Sequence, residues 1–312
     1  HQLFDRGEGS LTEMIVLIDA ITANQNKDYV YWYEGVFKMV SGSTQLIVTV
    51  NMSPVEPGND LAKSIFKPND YCILTSATLR TNLSFDYFLN RVGLNSFEFD
   101  DISSKVFESP FSYSDQVTYY QYSGNDGQRP DIIAKTILHC HKKFNKRMMV
   151  LFTSRAQLDN THQILKQISR SEHLPIFAQK RQTSRLGLIR GMGQVSNGIL
   201  LGTNAFWEGV DLPGDLLEIL IIIKMPFDVP TEPTVKAYGS MVESQGGNSF
   251  MDYALPESVI RFRQGFGRLI RTQYDDGIFI VMDDRIINKR YGIAFSETIP
   301  VQMQVFQRFN DI

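Results

Sequence analysis

The sequence predicts an α/β protein built on a parallel sheet that helices cover on both faces. Strand-like and helix-like segments alternate along the chain, and most strand-like segments are apolar at nearly every position. Alternation of this kind is typical of parallel sheets, and a strand without polar positions is buried on both of its faces. Hydrophobic residues make up 43% and charged residues 21% of the chain, which is typical of a globular protein with a packed core.

The N-terminal third contains a mixture of elements. In order, the patterns predict a helix over 11–23, strands over 29–39 and 44–50, a loop over 51–60, a short helix over 61–66, a strand over 71–75 and a helix over 84–92. The aromatic residues of 29–39 have two interpretations. They could stack on single-stranded bases, but a strand packed on a small core is favoured.

After residue 95 the alternation becomes regular. In order, the patterns predict an irregular connector between two lobes over 95–128, a helix over 131–144, a strand over 148–152, a helix over 156–169, strands over 175–178, 197–201 and 217–224, irregular chain over 226–233, a flexible surface loop over 239–248, a helix that starts at Pro256 and reaches the arginines at 268 and 271, and a strand over 277–282. The glycines within 186–195 do not form the G-x-G-x-x-G pattern, so we assign them no phosphate-binding role.

Charge and cysteine content exclude several classes of protein. The net charge of −3 is incompatible with a uniformly basic nucleic-acid binder, so any DNA contact would use a local groove. Cys72 and Cys140 form neither a disulfide framework nor a metal site, and His139 and His141 do not face each other on a helix. No apolar run is long enough to span a bilayer, and no secretory signal pattern is present. These features predict a cytoplasmic protein.

The segment Q-G-F-G-R-L-I-R over 264–271 contains the first candidate site. Arg268 and Arg271 are three residues apart, so on a helix they project from one face, with Gln264 one turn earlier. Gly267 removes bulk beside Arg268. Such a pair suits a polyphosphate whose charge grows during γ-phosphoryl transfer. A solvated basic helix with a chance glycine is the alternative that this segment alone leaves open.

The segment G-T-N-A-F-W-E-G-V-D over 202–211 contains the second candidate site. It begins where a predicted strand ends, which is the edge where open α/β sheets bind ligands. Thr203 can donate its hydroxyl to a phosphate, and Glu208 and Asp211 can orient arginines or accept from a ribose hydroxyl. The two acids could instead be ordinary loop carboxylates. We favour a nucleotide role because one sheet would bring the acid pair and the arginine pair together.

A third segment and several missing motifs complete the evidence. S-A-T-L over 76–79 either places hydroxyl groups at the carboxyl end of a strand or caps the following helix. The chain contains no P-loop, no Asp-Glu-x-His sequence for magnesium and no G-x-S-x-G nucleophile. The chain therefore holds only half of the residues that a nucleotide-hydrolysing site requires.

Four segments in this order resemble motifs III to VI of superfamily 2 helicases. They are S-A-T-L at 76–79, V-L-F-T-S-R at 150–155, G-T-N-A-F-W-E-G-V-D at 202–211 and Q-G-F-G-R-L-I-R at 264–271. The pattern is similar to the DinG/XPD-like branch, and within it to the DinG group. This resemblance implies a RecA-like second motor domain over 96–312. It also implies that 1–95 holds the end of an arch insertion and the C-terminal part of the first motor domain.

The resemblance also implies an activity and its site residues. Members couple ATP hydrolysis to 5′-to-3′ movement on single-stranded DNA and to unwinding of forked duplexes or R-loops during repair and replication. ATP lies between two lobes, and the first lobe supplies the P-loop and the Mg²⁺ ligands. Arg268 and Arg271 are implied arginine fingers, Gln264 reads the γ-phosphate, and Gly267, Glu208 and Asp211 complete the nucleotide set. The residues implied to contact DNA phosphates, or to link them to the ATP cleft, are Ser76, Thr78, Thr153, Ser154, Arg155 and Thr203.

We therefore predict the C-terminal part of a DinG-type DNA helicase that works with the N-terminal part of the same protein and hydrolyses no ATP alone. Many relatives carry an iron–sulfur cluster in the first lobe, but neither cysteine here matches its ligands. Some relatives join the motor to an N-terminal 3′-to-5′ exonuclease. The alternative is a degenerate module that binds DNA and nucleotide and regulates such an exonuclease. A non-enzymatic scaffold is disfavoured because the arginine pair and the acid pair are both present.

Overall fold

The computed structural model of the 312-residue chain describes residues 18–19, 26–40, 42–81, 83–98, 101–180, 183–203, 206–207 and 216–312. Of the predicted helix over 11–23, only Ile18 and Asp19 lie within these residues, and both are helical. No helix in the described part of the chain is long and apolar enough to cross a membrane.

The described strands and helices follow the predicted alternation for most of the chain. The strands are β1 Tyr29–Val40, β2 Ser43–Pro54, β3 Val117–Tyr122, β4 Met148–Leu151, β5 Ile176–Ala178, β6 Ile199–Gly202, β7 Ile219–Ile222, β8 Gly277–Val281 and β9 Met303–Phe306. The α-helices are α1 Gly58–Leu61, α2 Asp86–Arg91, α3 Tyr113–Gln116, α4 Pro130–Phe144, α5 Arg155–Glu172, α6 Arg185–Gly193, α7 Pro233–Ser244, α8 Leu255–Phe266, α9 Arg285–Asn288 and α10 Ile293–Ser296. The π-helices are Ala62–Phe66 and Phe250–Ala254, and the 3₁₀ turns are Leu94–Ser96, Arg290–Gly292 and Phe309–Asp311.

The chain divides into two compact units. The first comprises His1–Arg80, Ser84–Ser103 and Asp228–Ala254, and the second comprises Thr81–Leu83, Ser104–Phe227 and Leu255–Ile312. The domain boundary at residues 95 and 96 stays a prediction.

The second unit is a seven-stranded sheet in the order β5-β6-β4-β7-β8-β3-β9, and every neighbouring pair in it is parallel. Successive residues of a strand join opposite cores, since Met148 and Val150 pack in one cluster and Met149 and Leu151 in the other. The first cluster includes buried residues of α4 and α5, and the second includes buried residues of α8. This confirms the predicted parallel sheet with helices on both faces.

Two strands of this sheet, β3 and β9, were not predicted. β3 lies within the connector over 95–128 that was predicted to be irregular, and it pairs with both β8 and β9. Its sequence, V-T-Y-Y-Q-Y, consists largely of the β-branched and aromatic residues that favour strands. The prediction was wrong because the surrounding Ser-rich and Pro-containing sequence hid a six-residue signal.

The first unit contains an antiparallel hairpin of β1 and β2, which pairs Tyr29 with Pro54 and Val40 with Ser43. Both predicted strands are therefore confirmed, although many apolar side chains of this hairpin are exposed. The predicted buried strand over 71–75 is wrong. Residues 71–76 have no regular structure, and the side chains of Tyr71 and Ile73 are 93% and 92% exposed. An apolar run becomes a strand only where another strand accepts its backbone hydrogen bonds, and no described strand pairs with this one.

Two glycine-containing segments are helical, and the loop prediction for one of them is wrong. The loop predicted over 239–248 is helical as far as Ser244, because α7 starts with Pro233 in its first turn and buries Gly239. The chain turns only at Gly246, which has a φ of +85°. The glycine-rich segment 186–195 is mostly α6, and a Cβ on Gly191 would lie 2.7 Å from the Phe177 ring of β5. Gly191 there allows close packing of the helix on the sheet.

Candidate functional site

The carboxyl ends of two neighbouring strands bring four of the predicted DNA-binding residues to one edge of the sheet. β4 and β6 pair in register at Leu151 and Gly202, so Thr153–Arg155 and Thr203 leave the sheet side by side. The backbone N–H of Phe152 donates to the Gly202 carbonyl at 2.9 Å and extends this pairing by one residue. The edge is where parallel α/β sheets bind ligands.

Ser154 and Arg155 also stabilise the start of α5. The hydroxyl oxygen of Ser154 accepts from the backbone N–H of Gln157 at 3.4 Å, which is a helix N-cap. The Arg155 Nε donates to Asp159 Oδ2 at 3.1 Å on the same helix. Each side chain keeps further donors, since a hydroxyl retains its own O–H and a guanidinium has five N–H groups.

Thr203 has a partner that the sequence did not reveal. Its backbone N–H and its hydroxyl both donate to Gln179 Oε1, at 2.8 and 3.0 Å. Gln179 follows β5, the edge strand beside β6, and its own N–H donates to the Leu201 carbonyl at 2.9 Å. Gln179 is therefore a site residue that sequence reasoning missed, because nothing in A-Q-K distinguishes it from a surface glutamine.

Several cationic side chains act on His162 of α5. Burial lowers the pKa of His162 on α5 below its ordinary value, and the charges of Lys166, Lys180 and Arg155 lower it further against the opposing effect of Asp159. Like charges disfavour a protonated imidazole. The charges that act on His162 are therefore mostly positive.

The arginine pair is not on a helix, which corrects the sequence prediction. α8 ends at Phe266, Gly267 to Leu269 form a turn, and Arg271 lies in the loop that follows. Gly265, the single glycine of α8, lies against the Trp207 ring, where an added Cβ would be 3.0 Å from Cζ3. Gly267 is exposed, and an added Cβ there would only make ordinary contacts with the Arg263 and Gln264 carbonyls. The helix ends early because the turn redirects the chain into β8.

Arg268 connects this turn to the 202–211 segment. Its side chain is only 6% exposed, and Nη2 donates to the backbone carbonyl of Trp207. Trp207 is 2% exposed and follows the buried Phe206, whose N–H donates to the Thr203 carbonyl at 2.7 Å. The two predicted motifs are therefore in direct contact. Glu208 and Asp211 lie outside the described residues.

Arg271 is exposed, and its backbone is held by Asp275. Asp275 Oδ2 accepts from the N–H groups of Arg271 and Thr272, both at 2.8 Å, and Oδ1 accepts from the Thr272 hydroxyl at 2.8 Å. Burial raises the pKa of Asp275, but these hydrogen bonds and the Arg271 charge outweigh burial and place the pKa below its ordinary value. Gln116 also donates to the carbonyls of Thr272 and Asp275, at 3.0 and 2.8 Å.

Gln264 lies in the last turn of α8 and is half-buried. No hydrogen-bond donor in the described part of the chain reaches its buried Oε1. An amide side chain can donate to a phosphate through Nε2 and accept from a water or hydroxyl through Oε1. The γ-phosphate role that the family resemblance implies for Gln264 stays a prediction.

Ser76 and Thr78 lie in the first unit, outside the sheet that carries the other site residues. Their hydroxyl oxygens are 3.1 Å apart, and the N–H of Thr78 donates to Ser76 Oγ at 3.2 Å. The two hydroxyls form a local turn rather than the end of a strand.

A partly buried ion pair fixes the neighbouring part of the carboxyl edge. Asp283, fully buried after β8, accepts from Arg285 Nε at 2.8 Å and Nη2 at 2.6 Å, and from the N–H of Met225 at 2.9 Å. The Arg285 guanidinium also lies over the Phe227 ring, 5.6 Å from its centre. The chain that follows β7 is thereby tied to the end of β8. Among the described residues, no group of three or more His, Cys, Asp and Glu side chains could hold a metal ion.

Comparisons with known proteins agree with this architecture. Residues 137–302 match the family model described as helicase C-terminal domain. The chain is 36% identical over 261 residues to a protein named 3'-5' exonuclease DinG from Bacillus subtilis, covering 81% of this chain and 28% of that protein. It is 33% identical over 265 residues to a protein named ATP-dependent DNA helicase DinG from Photobacterium profundum, covering 83% and 38%.

The chain thus spans 28% and 38% of the length of these two relatives. The solved structure of S. tokodaii Xpd4 superimposes on 84% of this chain and 49% of its own with a TM-score of 0.54, and its 16% identity shows the fold alone. The RecA-like expectation for the sheet is confirmed. Because the matched family model covers more than half of the chain, this chain belongs to the helicase C-terminal domain family, in the DinG/XPD-like branch that its four motifs indicated.

Proposed function

We propose that this chain is the C-terminal motor part of an ATP-dependent DNA helicase that moves 5′-to-3′ on single-stranded DNA in repair and replication. The contact between Arg268 and the Trp207 carbonyl carries the proposal, because it joins the arginine motif to the 202–211 segment at the ligand edge. A motor needs such a connection, since nucleotide state must alter the residues that hold DNA.

The nucleotide-facing residues have distinct tasks in this proposal. Arg271, exposed on a loop fixed by Asp275, contacts the γ-phosphate of substrate ATP and stabilises the charge that develops during transfer. Arg268 shares that role and relays nucleotide state to Trp207, while Gln264 orients the attacking water. Glu208, Asp211 and Gly267 complete the nucleotide side. A P-loop domain, which these residues do not contain, holds ATP with Mg²⁺.

The DNA-facing residues lie along the carboxyl edge. Thr153, Ser154 and Arg155, with Thr203 beside them, form the site for the phosphates of single-stranded DNA released from forks or R-loops, and Ser76 and Thr78 of the first unit also contact DNA. The positive charges around His162 support an anionic ligand here.

The proposal predicts the effect of Arg271→Ala in the longer protein that contains a P-loop domain. DNA-stimulated ATP turnover should fall by about 10³–10⁵-fold, since an arginine finger contributes a factor of this size. Arg290→Ala, a change at an exposed arginine on a 3₁₀ turn, should leave turnover unchanged. The 312-residue chain alone should hydrolyse no ATP. Normal turnover by the Arg271 variant would refute the finger assignment. Turnover by the chain alone would refute the requirement for a separate P-loop domain.

A second candidate function is regulation of an attached 3′-to-5′ exonuclease by a motor that no longer unwinds. It is favoured by the 36% identity to a relative that is named as an exonuclease. A strand-displacement assay separates the two functions, because a motor separates a 5′-tailed duplex with ATP. The regulatory module would change only the nuclease rate.

A further inference from the structure

Gln179 uses one oxygen to accept both hydrogen-bond donors of Thr203. The backbone N–H of Thr203 lies 2.8 Å from Gln179 Oε1, and the Thr203 hydroxyl lies 3.0 Å from the same atom. A threonine has one hydroxyl proton and one backbone proton to donate. In this arrangement neither of them remains for a phosphate.

The same two contacts fix the orientation of the Gln179 amide. The backbone N–H of Thr203 can only donate, so the amide atom that faces it must be the oxygen and not the nitrogen. The Nε2 group, with its two N–H donors, therefore points away from Thr203. No described residue accepts a hydrogen bond from it.

The surroundings of Gln179 are cationic. Lys180 follows it directly and is exposed, and the charges of Lys180, Arg155 and Lys166 all act on His162 of α5. An oriented amide donor beside an exposed ammonium is a combination that suits phosphate groups, since an amide supplies a directed hydrogen bond and a lysine supplies charge.

We propose that the Gln179 amide and the Lys180 ammonium contact the phosphates of single-stranded DNA, and that Thr203 positions Gln179 instead of contacting a phosphate itself. The inference rests on the proposed DNA-binding function of this edge and changes which residues perform it. Lys180 contributes charge, and Gln179 contributes a neutral, directed hydrogen bond.

Binding of the 312-residue chain to a fluorescent oligo(dT) at several salt concentrations tests the proposal. Gln179→Met should weaken binding about tenfold at every salt concentration, because a neutral amide bonded to a charged phosphate is lost without release of counterions. Lys180→Gln should reduce the slope of log K against log salt by about 0.7, as expected for one phosphate contact on a single strand. Gln163→Met, a change at an exposed glutamine on α5, should match the wild type.

Variants of Thr203 separate the two roles. Thr203→Val keeps the backbone N–H that holds Gln179 Oε1, so it should weaken binding by no more than about threefold, and Thr203→Ser should restore wild-type affinity. If the threonine hydroxyl itself bound the phosphate, Thr203→Val would weaken binding as much as Gln179→Met. That result would overturn the proposal.

An NMR measurement on the wild-type chain keeps the test valid if Gln179→Met is unstable. The side-chain NH₂ signals of Gln179 should shift when oligo(dT) is added, and unchanged signals would contradict the proposal. Arg155→Ala separates a failure of the Gln179 assignment from a failure of the proposed DNA-binding function. Weaker binding by Arg155→Ala with normal binding by Gln179→Met would refute the Gln179 assignment alone. Absence of oligo(dT) binding by the wild-type chain would refute the DNA-binding function and this inference together.

Discussion

The segment Q-G-F-G-R contains two glycines whose surroundings differ. A Cβ on Gly265 would lie 3.0 and 3.2 Å from two atoms of the Trp207 ring, whereas one on Gly267 would approach nothing closer than the Arg263 carbonyl at 3.4 Å. Gly265 therefore permits the packing that places the Trp207 carbonyl beside Arg268. Spacing in the sequence indicated Gly267 as the residue that makes room, and only the packing of α8 against Trp207 identifies Gly265.

Alanine at each glycine gives a matched pair of variants. Gly265→Ala should destabilise the chain, because overpacking costs about 1–3 kcal/mol and exceeds the roughly 1 kcal/mol gained from a better helix former. Gly267→Ala should change the free energy of unfolding by no more than about 0.5 kcal/mol. Urea titrations of both variants check this. Equal stability of the two would show that the Trp207 ring yields without cost.

Residue types were predictable at this site, but partners were not. The sequence placed Thr203 at a strand end, and the structure does place it there. Its bond to Gln179 joins residues that are 24 positions apart on adjacent strands, and that adjacency depends on sheet order. No local pattern encodes sheet order, since helices of different lengths can connect the same strands.

At the level of elements, the loop between α8 and β8 determines where Arg271 lies. Asp275 accepts three hydrogen bonds from Arg271 and Thr272, and Gln116 donates to two carbonyls of the same loop. The loop is thus held by the carboxylate of Asp275, which belongs to the loop, and by the amide of Gln116, which belongs to α3. We infer that Asp275 positions the proposed finger without touching the nucleotide.

Asp275→Asn tests this positioning role in the longer protein. An asparagine oxygen lacks the charge that strengthens these bonds, so DNA-stimulated ATP turnover should fall by about 10- to 100-fold, as small displacements of catalytic groups do. Asp276→Asn is the control, because Asp276 is 76% exposed and its partner among the described residues is Lys146, in a surface ion pair. Equal turnover in the two variants would refute the role of Asp275.

The lowered pKa of Asp275 also predicts a pH dependence. A carboxyl whose folded pKa lies below its unfolded pKa stabilises the fold above the unfolded value, and this stabilisation is lost as pH falls through the folded pKa. The amide signals of Arg271 and Thr272 should therefore stay constant at neutral pH and shift only below about pH 4. The same signals in Asp275→Asn should not titrate in that range.

Secondary structure was predictable from the sequence where burial in the core determines it. It was not predictable where it depends on a pairing strand elsewhere in the chain. The all-apolar runs of β4 and β7 predicted buried strands correctly, because burial on both faces demands apolar residues at every position. The equally apolar run over 71–75 is exposed and irregular, since no described strand pairs with it. The end of α8 at Phe266 was missed because the motif continues without a proline or a positive φ to mark it.

For the whole molecule, the two cysteines report on two different parts of the chain. Cys140 is fully buried in the core beneath α4, and burial raises its pKa to about 12. Cys72 is exposed in the irregular segment that the first unit contributes. Because only an accessible thiolate reacts, the rate at which a thiol reagent modifies Cys140 reports on opening of the sheet core. The rate at Cys72 reports on exposure of the 71–76 segment.

Labelling of the native chain with a chromogenic disulfide at pH 8 should modify Cys72 within the mixing time. Cys140 should be modified only as fast as the sheet unfolds. Cys72→Ser should abolish the fast phase, and Cys140→Ser should abolish the slow one. The slow rate should rise with urea in parallel with global unfolding, since Cys140 is accessible only in the open state.

Above about pH 9 the free energy of unfolding should decline, because the thiol of Cys140 ionises there in the unfolded chain but stays neutral in the folded chain up to its raised pKa. Rapid labelling of both cysteines in the native chain would contradict a closed core beneath α4.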